Sequence, residues 1–312
     1  MKTSLALIAA AMFTAFSSTP ASASLLIYEP FDYTPSGSAI IGQTDIYSPG
    51  SPTWARAGTA AAVVHQVTTP SLPAPSGYPA SVGNAGLMLG GPAGGDFNEY
   101  ARMSLGAQYG ASSTLFYSLL LDVPNIAGLT TAHSNLNANN DGIIAFNNNT
   151  GAGTKPSIWA GELTMRLGAS SSLFNLGVRA SQTAASTTYW SADLTPGLTY
   201  LVVVGYTSSA TPGTGGLSSL WINPSSATFG APVAPAADGS TVGSMNATGS
   251  NDHVDSLIIG AGIAAGADPT QTIIDEIRVG TTWGEVVPEP SALVLAGLGA
   301  LSLVSWSRAR RR

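Results

Sequence analysis

Seventeen consecutive residues near the C-terminus, Ser291 to Ser307, carry no charge, and Arg308, Ala309, Arg310, Arg311 and Arg312 follow them directly. At about 1.5 Å per helical residue such a run reaches about 25 Å, slightly short of a ~30 Å hydrocarbon core but within the lower range of spanning helices. Arginine is costly to move across a bilayer and favours the cytoplasmic side, so the expected topology places everything before Val287 on the outer face. Immediately upstream, Pro288 and Pro290 cannot continue a helix and hold the preceding backbone extended, leaving a strip that a processing enzyme can grip. The chain therefore divides into a body that folds outside the membrane and a tail, 287–312, that reads as an address.

The order Val287-Pro288-Glu289-Pro290, apolar span, arginine cluster resembles the PEP-CTERM sorting signal of exported bacterial proteins. The resemblance implies recognition by an exosortase-type membrane peptidase, cleavage near Pro-Glu-Pro, and a destination in the cell envelope or an exopolysaccharide matrix. An ordinary single-span anchor would share the helix and the arginines but has no need of the Val-Pro-Glu-Pro.

The N-terminus agrees with export. Lys2 gives a positive start, Leu5 to Phe16 is apolar, and Ala21-Ser22-Ala23 places small residues at the −3 and −1 positions of a cleavage site. Residues 1–23 are therefore expected to be a signal peptide read by Sec-type machinery. The apolar run is too short to span a bilayer and is followed by Ser17, Ser18, Thr19 and Pro20.

Between the two ends, about 264 residues suffice for one large domain, with residues 24–286 as its expected extent. From Ser24 to Val287 there are six Lys and Arg against sixteen Asp and Glu, a net charge of −10, which argues against a nucleic-acid partner. With no cysteine, an exported chain of this size has no disulfide staples and must rely on its core; thiol chemistry is excluded. Thirty-six glycines, only 9% charged residues and abundant Ser, Thr and Asn describe short strands joined by polar turns, an all-β composition poor for helices.

Local patterns agree. Leu25 to Tyr33 reads as an apolar strand running into a proline turn, and Ala61 to Val67 as another. Leu115 to Val123 alternates as a half-exposed strand. In Ile158 to Leu167, Trp159, Leu163, Met165 and Leu167 are expected on one buried face, with Glu162, Thr164 and Arg166 facing water. Leu201 to Val204 is apolar on both faces, as a covered central strand should be. The polar stretch Asn223 to Asn251 is long enough to hide a short strand. In Thr272 to Gly280, strict alternation puts Asp275 on the face of Ile273, Ile277 and Val279, where it must find hydrogen-bond donors, and leaves Glu276 and Arg278 as neighbours able to pair.

Tyr28-Glu29-Pro30-Phe31-Asp32-Tyr33, Leu220-Trp221-Ile222-Asn223-Pro224 and Ile274-Asp275-Glu276-Ile277-Arg278-Val279-Gly280 resemble the framework of concanavalin A-like or laminin-G-like jelly rolls. The resemblance implies an antiparallel two-sheet sandwich in which the first and last strands are adjacent.

Catalytic patterns are sparse. Glycoside hydrolysis needs two carboxylates roughly 5 to 9 Å apart across a groove, and the Glu-x-Asp-x-x-Glu strand of concanavalin-like glucanases does not occur. Asp275 and Glu276, adjacent in a strand, are expected to point to opposite faces. His65, His133 and His253 lack metal-ligand spacing and read as surface or loop residues. No Gly-x-Ser-x-Gly elbow or phosphate-binding loop is present. The sequence thus predicts no catalytic residue.

Calcium is the one cofactor with candidate ligands, in the oxygen-rich loops Asn137, Asn139, Asn140, Asp141 and Asn251, Asp252, Asp255, although neither loop matches an EF-hand and Asn and Asp in loops are far more often turn formers. Trp54, Trp190 and Trp283 lie near loops and are candidates for stacking on sugar rings, whereas Trp159 and Trp221 are expected in the core. The leading expectation is a non-catalytic exported protein of the cell surface or matrix. A lectin-like glycan-binding module is the alternative, ahead of a polysaccharide-cleaving enzyme.

Overall fold

The computed structural model describes residues 25–58, 65–89, 99–127, 129, 142–150, 158–180, 187–211, 213–243, 245, 252–260, 269 and 271–289. The expected signal peptide, with Ala21 and Ala23, and the expected span and Arg308, Arg310, Arg311 and Arg312 lie outside those residues. Among the described residues no helix is long and apolar enough to cross a membrane.

Among the described residues fifteen strands form two antiparallel sheets: β1 (Ile27–Glu29), β2 (Ala55–Gly58), β3 (His65–Thr68), β4 (Ala85–Leu89), β5 (Glu99–Tyr109), β6 (Thr114–Asn125), β7 (Gly142–Asn147), β8 (Trp159–Leu167), β9 (Phe174–Arg179), β10 (Thr187–Tyr189), β11 (Tyr200–Thr207), β12 (Gly216–Ile222), β13 (Gly239–Gly243), β14 (Val254–Gly260) and β15 (Gln271–Gly280). One sheet runs β13-β12-β11-β6-β15-β4-β3, with β1 also paired to β15; the other runs β10-β9-β8-β7-β14-β5-β2. This is the jelly-roll sandwich, and its first and last strands pair, Ile27 opposite Val279. A single turn of helix, α1 (Trp283–Val286), follows β15.

The inner faces interdigitate through Leu119, Leu121, Val202, Val204, Leu163, Leu176, Leu257 and Ile259, all buried in one cluster. β11 is apolar on both sides because its other face is covered too: Leu201 and Val203 pack with Trp221, Trp283, Val286 and Phe229 in a second cluster. Two uncharged segments, 70–82 and 223–237, lie over that outer face, where Tyr78 meets Phe229 edge-on at 5.9 Å. β13 is the short strand hidden in the long polar stretch.

Two bulges decide which side chains face which layer. Ile144 pairs Leu163 but Phe146 pairs Ala160, so β8 carries one extra residue, with Gly161 at φ +55. Trp159 is thereby turned onto the outer face, against Tyr100, Ala145 and Ile258, while Leu163 and Met165 remain inside. Trp159 and Leu163 therefore do not share a face as strict alternation requires. The polar residues of β8 depart from expectation as well: Glu162 and Thr164 are buried and only Arg166 is half-exposed.

The second bulge is at Glu276, φ +51, where β15 slips against β6. Upstream β15 pairs β4 through Gln271–Ile274; downstream it pairs β1 through Ile277–Val279. Ile274, Ile277 and Val279 all point into the main core, while Ile273 packs on the outer cluster, so Asp275 does not lie on the face of Ile277 and Val279. The gap between β4 and β1 is filled by the 70–82 segment. Asp275 accepts from Ser71 Oγ and the Leu72 amide, and Glu276 accepts from the Val82 amide and Tyr28 hydroxyl. Both carboxylates thus grip the same segment instead of pointing to opposite faces, because the left-handed backbone at Glu276 breaks the alternation. Arg278 approaches Glu276 at 3.6 Å, as its spacing suggested.

Candidate functional site

The sorting tail leaves the body from a built position. Thr281 and Thr282 donate their amides to Glu285, which closes α1 into a capping box. Trp283 is buried and donates its indole N–H to the Thr228 carbonyl at 2.8 Å. The Val286 carbonyl accepts from Ser118 Oγ at 2.6 Å, and the Val287 carbonyl accepts from the Gly230 amide at 2.7 Å. Val287, where the sequence divides body from tail, is itself fully buried. Pro288 is half-buried and Glu289 exposed, its side chain lying where a Cβ on Gly230 would stand. Pro290 lies outside the described residues.

A second site opens at the end of the β8–β9–β10 edge, a cleft of about 360 Å³ lined by Arg166, Asn175, Trp190, Ser191 and Asp193. Arg166 and Asn175 are cross-strand partners and therefore side by side. Asn175 Nδ2 reaches the carbonyls of Trp190 and Ala192 and one oxygen of Asp193, while the other Asp193 oxygen accepts from the Ala169 amide at 2.6 Å. The Arg166 guanidinium stacks on Tyr189, 3.8 Å from its centroid. Asn175 is buried and its Oδ1 has no hydrogen-bond partner. An aromatic ring beside a guanidinium, an amide oxygen and a carboxylate can hold a polyhydroxylated ligand by stacking and hydrogen bonding. Asp193 is the sole carboxylate in its lining, so the paired acid and base of glycoside hydrolysis are not assembled there.

Of the three tryptophans singled out for sugar stacking, only Trp190 is half-exposed. Trp54 is fully buried and donates its indole N–H to Glu29 at 2.6 Å; Trp283 is buried under the outer cluster. Their nearness to loops was misleading because those loops fold over the sheets. Trp159 and Trp221 are buried as expected. Asp252 and Asp255 are buried and engaged separately, Asp252 accepting from the Gly213 amide and Asp255 pairing His253 at 3.1 Å; Asn251 lies outside the described residues, as do Asn137, Asn139, Asn140, Asp141 and His133. Among the described residues no three His, Asp or Glu converge as a metal cage. His65, expected at the surface, is buried in β3. Arg166, Asn175 and Asp193 were missed as site residues because their convergence depends on the β8–β9 register.

Buried carboxylates elsewhere have structural duties. Glu29 accepts from the Phe31 amide, Tyr33 hydroxyl and Trp54 indole; burial pushes its pKa up to about 7. Burial does the same to Asp275, also to about 7, against the opposing pull of its donors Ser71, Leu72 and Glu276.

Residues 286–312 match the PEP-CTERM protein-sorting motif, the signal of an exported protein trafficked to the cell envelope. No curated protein matches the chain. Among solved structures the fold is similar to that of an endo-beta-1,4-glucuronan lyase from the fungus Trichoderma reesei, at 13% identity and TM-score 0.42, covering 83% of this chain and 99% of that one. It is also similar to alginate lyase Aly36B, at 8% identity and TM-score 0.47, covering 81% and 95%. Domain 4 of AbnA, an extracellular arabinanase from Geobacillus stearothermophilus in complex with arabinotriose, is similar at 12% identity and TM-score 0.44, covering 85% and 97%. The likeness to all three concerns the fold alone.

Proposed function

We propose that this chain is an exported substrate of an exosortase-type peptidase, held briefly in the inner membrane by its tail and then delivered to the cell surface or exopolysaccharide matrix. There the sandwich serves as a non-catalytic, matrix-associated domain. The observation that carries the reading is the match of 286–312 to the sorting motif. The test is intact-mass analysis of protein recovered from native membrane and extracellular fractions, beside a variant with Pro288, Glu289 and Pro290 replaced by alanine. Wild type found outside the membrane without its arginines, with the variant retained at full length, supports the reading; both retained intact would reduce the tail to an anchor.

A second reading, glycan binding by the sandwich, is favoured by the cleft beside Trp190 with its half-exposed ring and its unpartnered Asn175 Oδ1. Glycan-array binding lost in both Trp190→Ala and Arg166→Ala would support it, and no binding to any matrix polysaccharide would remove it. Asp275 and Glu276 are occupied with backbone amides, which argues for structural duty in place of acid–base work.

A further inference from the structure

The point where the tail leaves the body is surrounded by an uncharged rim. From Asn223 to Ala237 there is no Asp, Glu, Lys or Arg, and the same holds from Val67 to Gly95. The first segment presents Ala227, Pro232, Val233, Ala236 and Ala237 to solvent, with Val233 74% exposed. It is fastened to the tail's root by two hydrogen bonds, Gly230 N–H to the Val287 carbonyl and Trp283 Nε1–H to the Thr228 carbonyl. Among the described residues Val233 is the most exposed large hydrophobic, although uncharged stretches and exposed apolar side chains such as Ile46 and Val242 also occur elsewhere, so it is the position of this rim at the tail's root that sets it apart.

Chain length fixes what this rim must meet. Val287 is locked in the core, and the uncharged run begins at Ser291. Four residue steps span at most about 14 Å when fully extended. While the run is in a bilayer, the body cannot stand clear of it, and the surface around Gly230 is brought to the headgroup region. Burying the valine, alanine and proline of 223–237 there is favourable, and within that segment no charge has to be desolvated; Glu289, over Gly230, and Asp238, at the segment's end, are the carboxylates that must stay in the headgroup water.

We infer that the 223–237 rim is a membrane-seating surface: before processing, it rests on the lipid interface beside the tail and orients the sandwich on the membrane. This rests on the reading of 291–307 as a membrane span. Seated in this way, Pro288 and Glu289 are held at the interface, at the depth where a membrane peptidase works.

The chain has no cysteine, so single-cysteine probes are clean. Full-length Val233→Cys and Val242→Cys carry an environment-sensitive fluorophore and are reconstituted into phosphatidylcholine–phosphatidylglycerol vesicles containing doxyl-labelled lipid. Val242, 66% exposed on edge strand β13, is the matched control away from the rim. The expected result is co-flotation of both proteins, with a blue shift and loss of emission at position 233 alone. That effect should be lost when a flexible Gly-Ser linker is inserted between Val287 and Pro288. Co-flotation with no quenching at 233, or equal quenching at both positions, overturns the inference while leaving the span intact. A blue shift at 233 in detergent without lipid quenching overturns it in favour of the tail folding back on the rim. Failure to float overturns the span itself and the seating surface with it.

Discussion

Glu162 on β8 and Arg179 on β9 are direct cross-strand partners on the outer face of the seven-stranded sheet, joined by an ion pair whose two side chains are sealed from solvent. Removing one member takes this partner from a charge that stays in a low-dielectric setting. Arg179→Met should therefore destabilise the body by about 3–5 kcal/mol, whereas Glu162→Leu combined with Arg179→Met should cost far less. Urea denaturation of the single and double variants checks this; an Arg179→Met loss no larger than that of the double variant would show the pair to be uncoupled.

Glu29 and Asp275 give the fold an acid preference. Both carboxyls are held at about 7 when folded, above their ordinary values of 4.5 and 3.8. Between roughly pH 4 and 7 the folded chain therefore binds more protons than the unfolded chain, and stability falls as pH rises through that window. Tm measured across it should decline toward neutrality, and Glu29→Gln and Asp275→Asn should each flatten the decline. A slope unchanged in both variants would assign the pH dependence to other groups.

Much of the architecture was legible because alternation and composition are local properties. The covered strand at Leu201–Val204 and the burial of Trp159 and Trp221 follow from residues near one another in sequence, whereas the closure of β1 on β15, which pairs Ile27 with Val279, was implied by the jelly-roll resemblance. What alternation could not supply was the effect of one extra residue. The bulges at Gly161 and Glu276 each reverse the facing of the residues beyond them, which moved Trp159 to the outer layer and set Asp275 and Glu276 on one segment. Neither bulge carries an unambiguous signature: Gly161 is one glycine among thirty-six, and Glu276 is not a residue type that announces a left-handed backbone. The Trp190 cleft was hidden for a related reason, since Arg166 and Asn175 meet only through strand register.

Gly161 offers a direct test of the first bulge. A Cβ there would meet Tyr206, Val204 and Phe146 at 3.4–3.5 Å, ordinary packing distances, so space is not the obstacle. Backbone conformation is, because φ +55 is left-handed. Gly161→Ala should cost about 1–2 kcal/mol through that strain. Chemical denaturation measures it; a neutral substitution would show that β8 can relax out of the bulge.

Trp283 and Trp190 should separate structure from binding. Trp283 is buried against Trp221, with ring centroids 5.1 Å apart, and Phe116, and its N–H is spent on Thr228. Trp283→Ala opens a large cavity under the tail's root and should cost about 3–5 kcal/mol. It should also loosen the 223–231 segment, since that segment's hydrogen bond from Trp283 disappears and its contact at Gly230 depends on Val287 staying docked. Trp190 is half-buried at the mouth of an open cleft, and its backbone, not its indole, carries the links to Leu176 and Asn175. Trp190→Ala should therefore lose much less stability. Thermal denaturation ranks the two, and hydrogen exchange at the amides of 226–231 should accelerate in Trp283→Ala alone. Acceleration of the same amides in Trp190→Ala would mean that the two ends of the sandwich are mechanically coupled, and that loss of glycan binding in the Trp190 variant could not be read as loss of a contact.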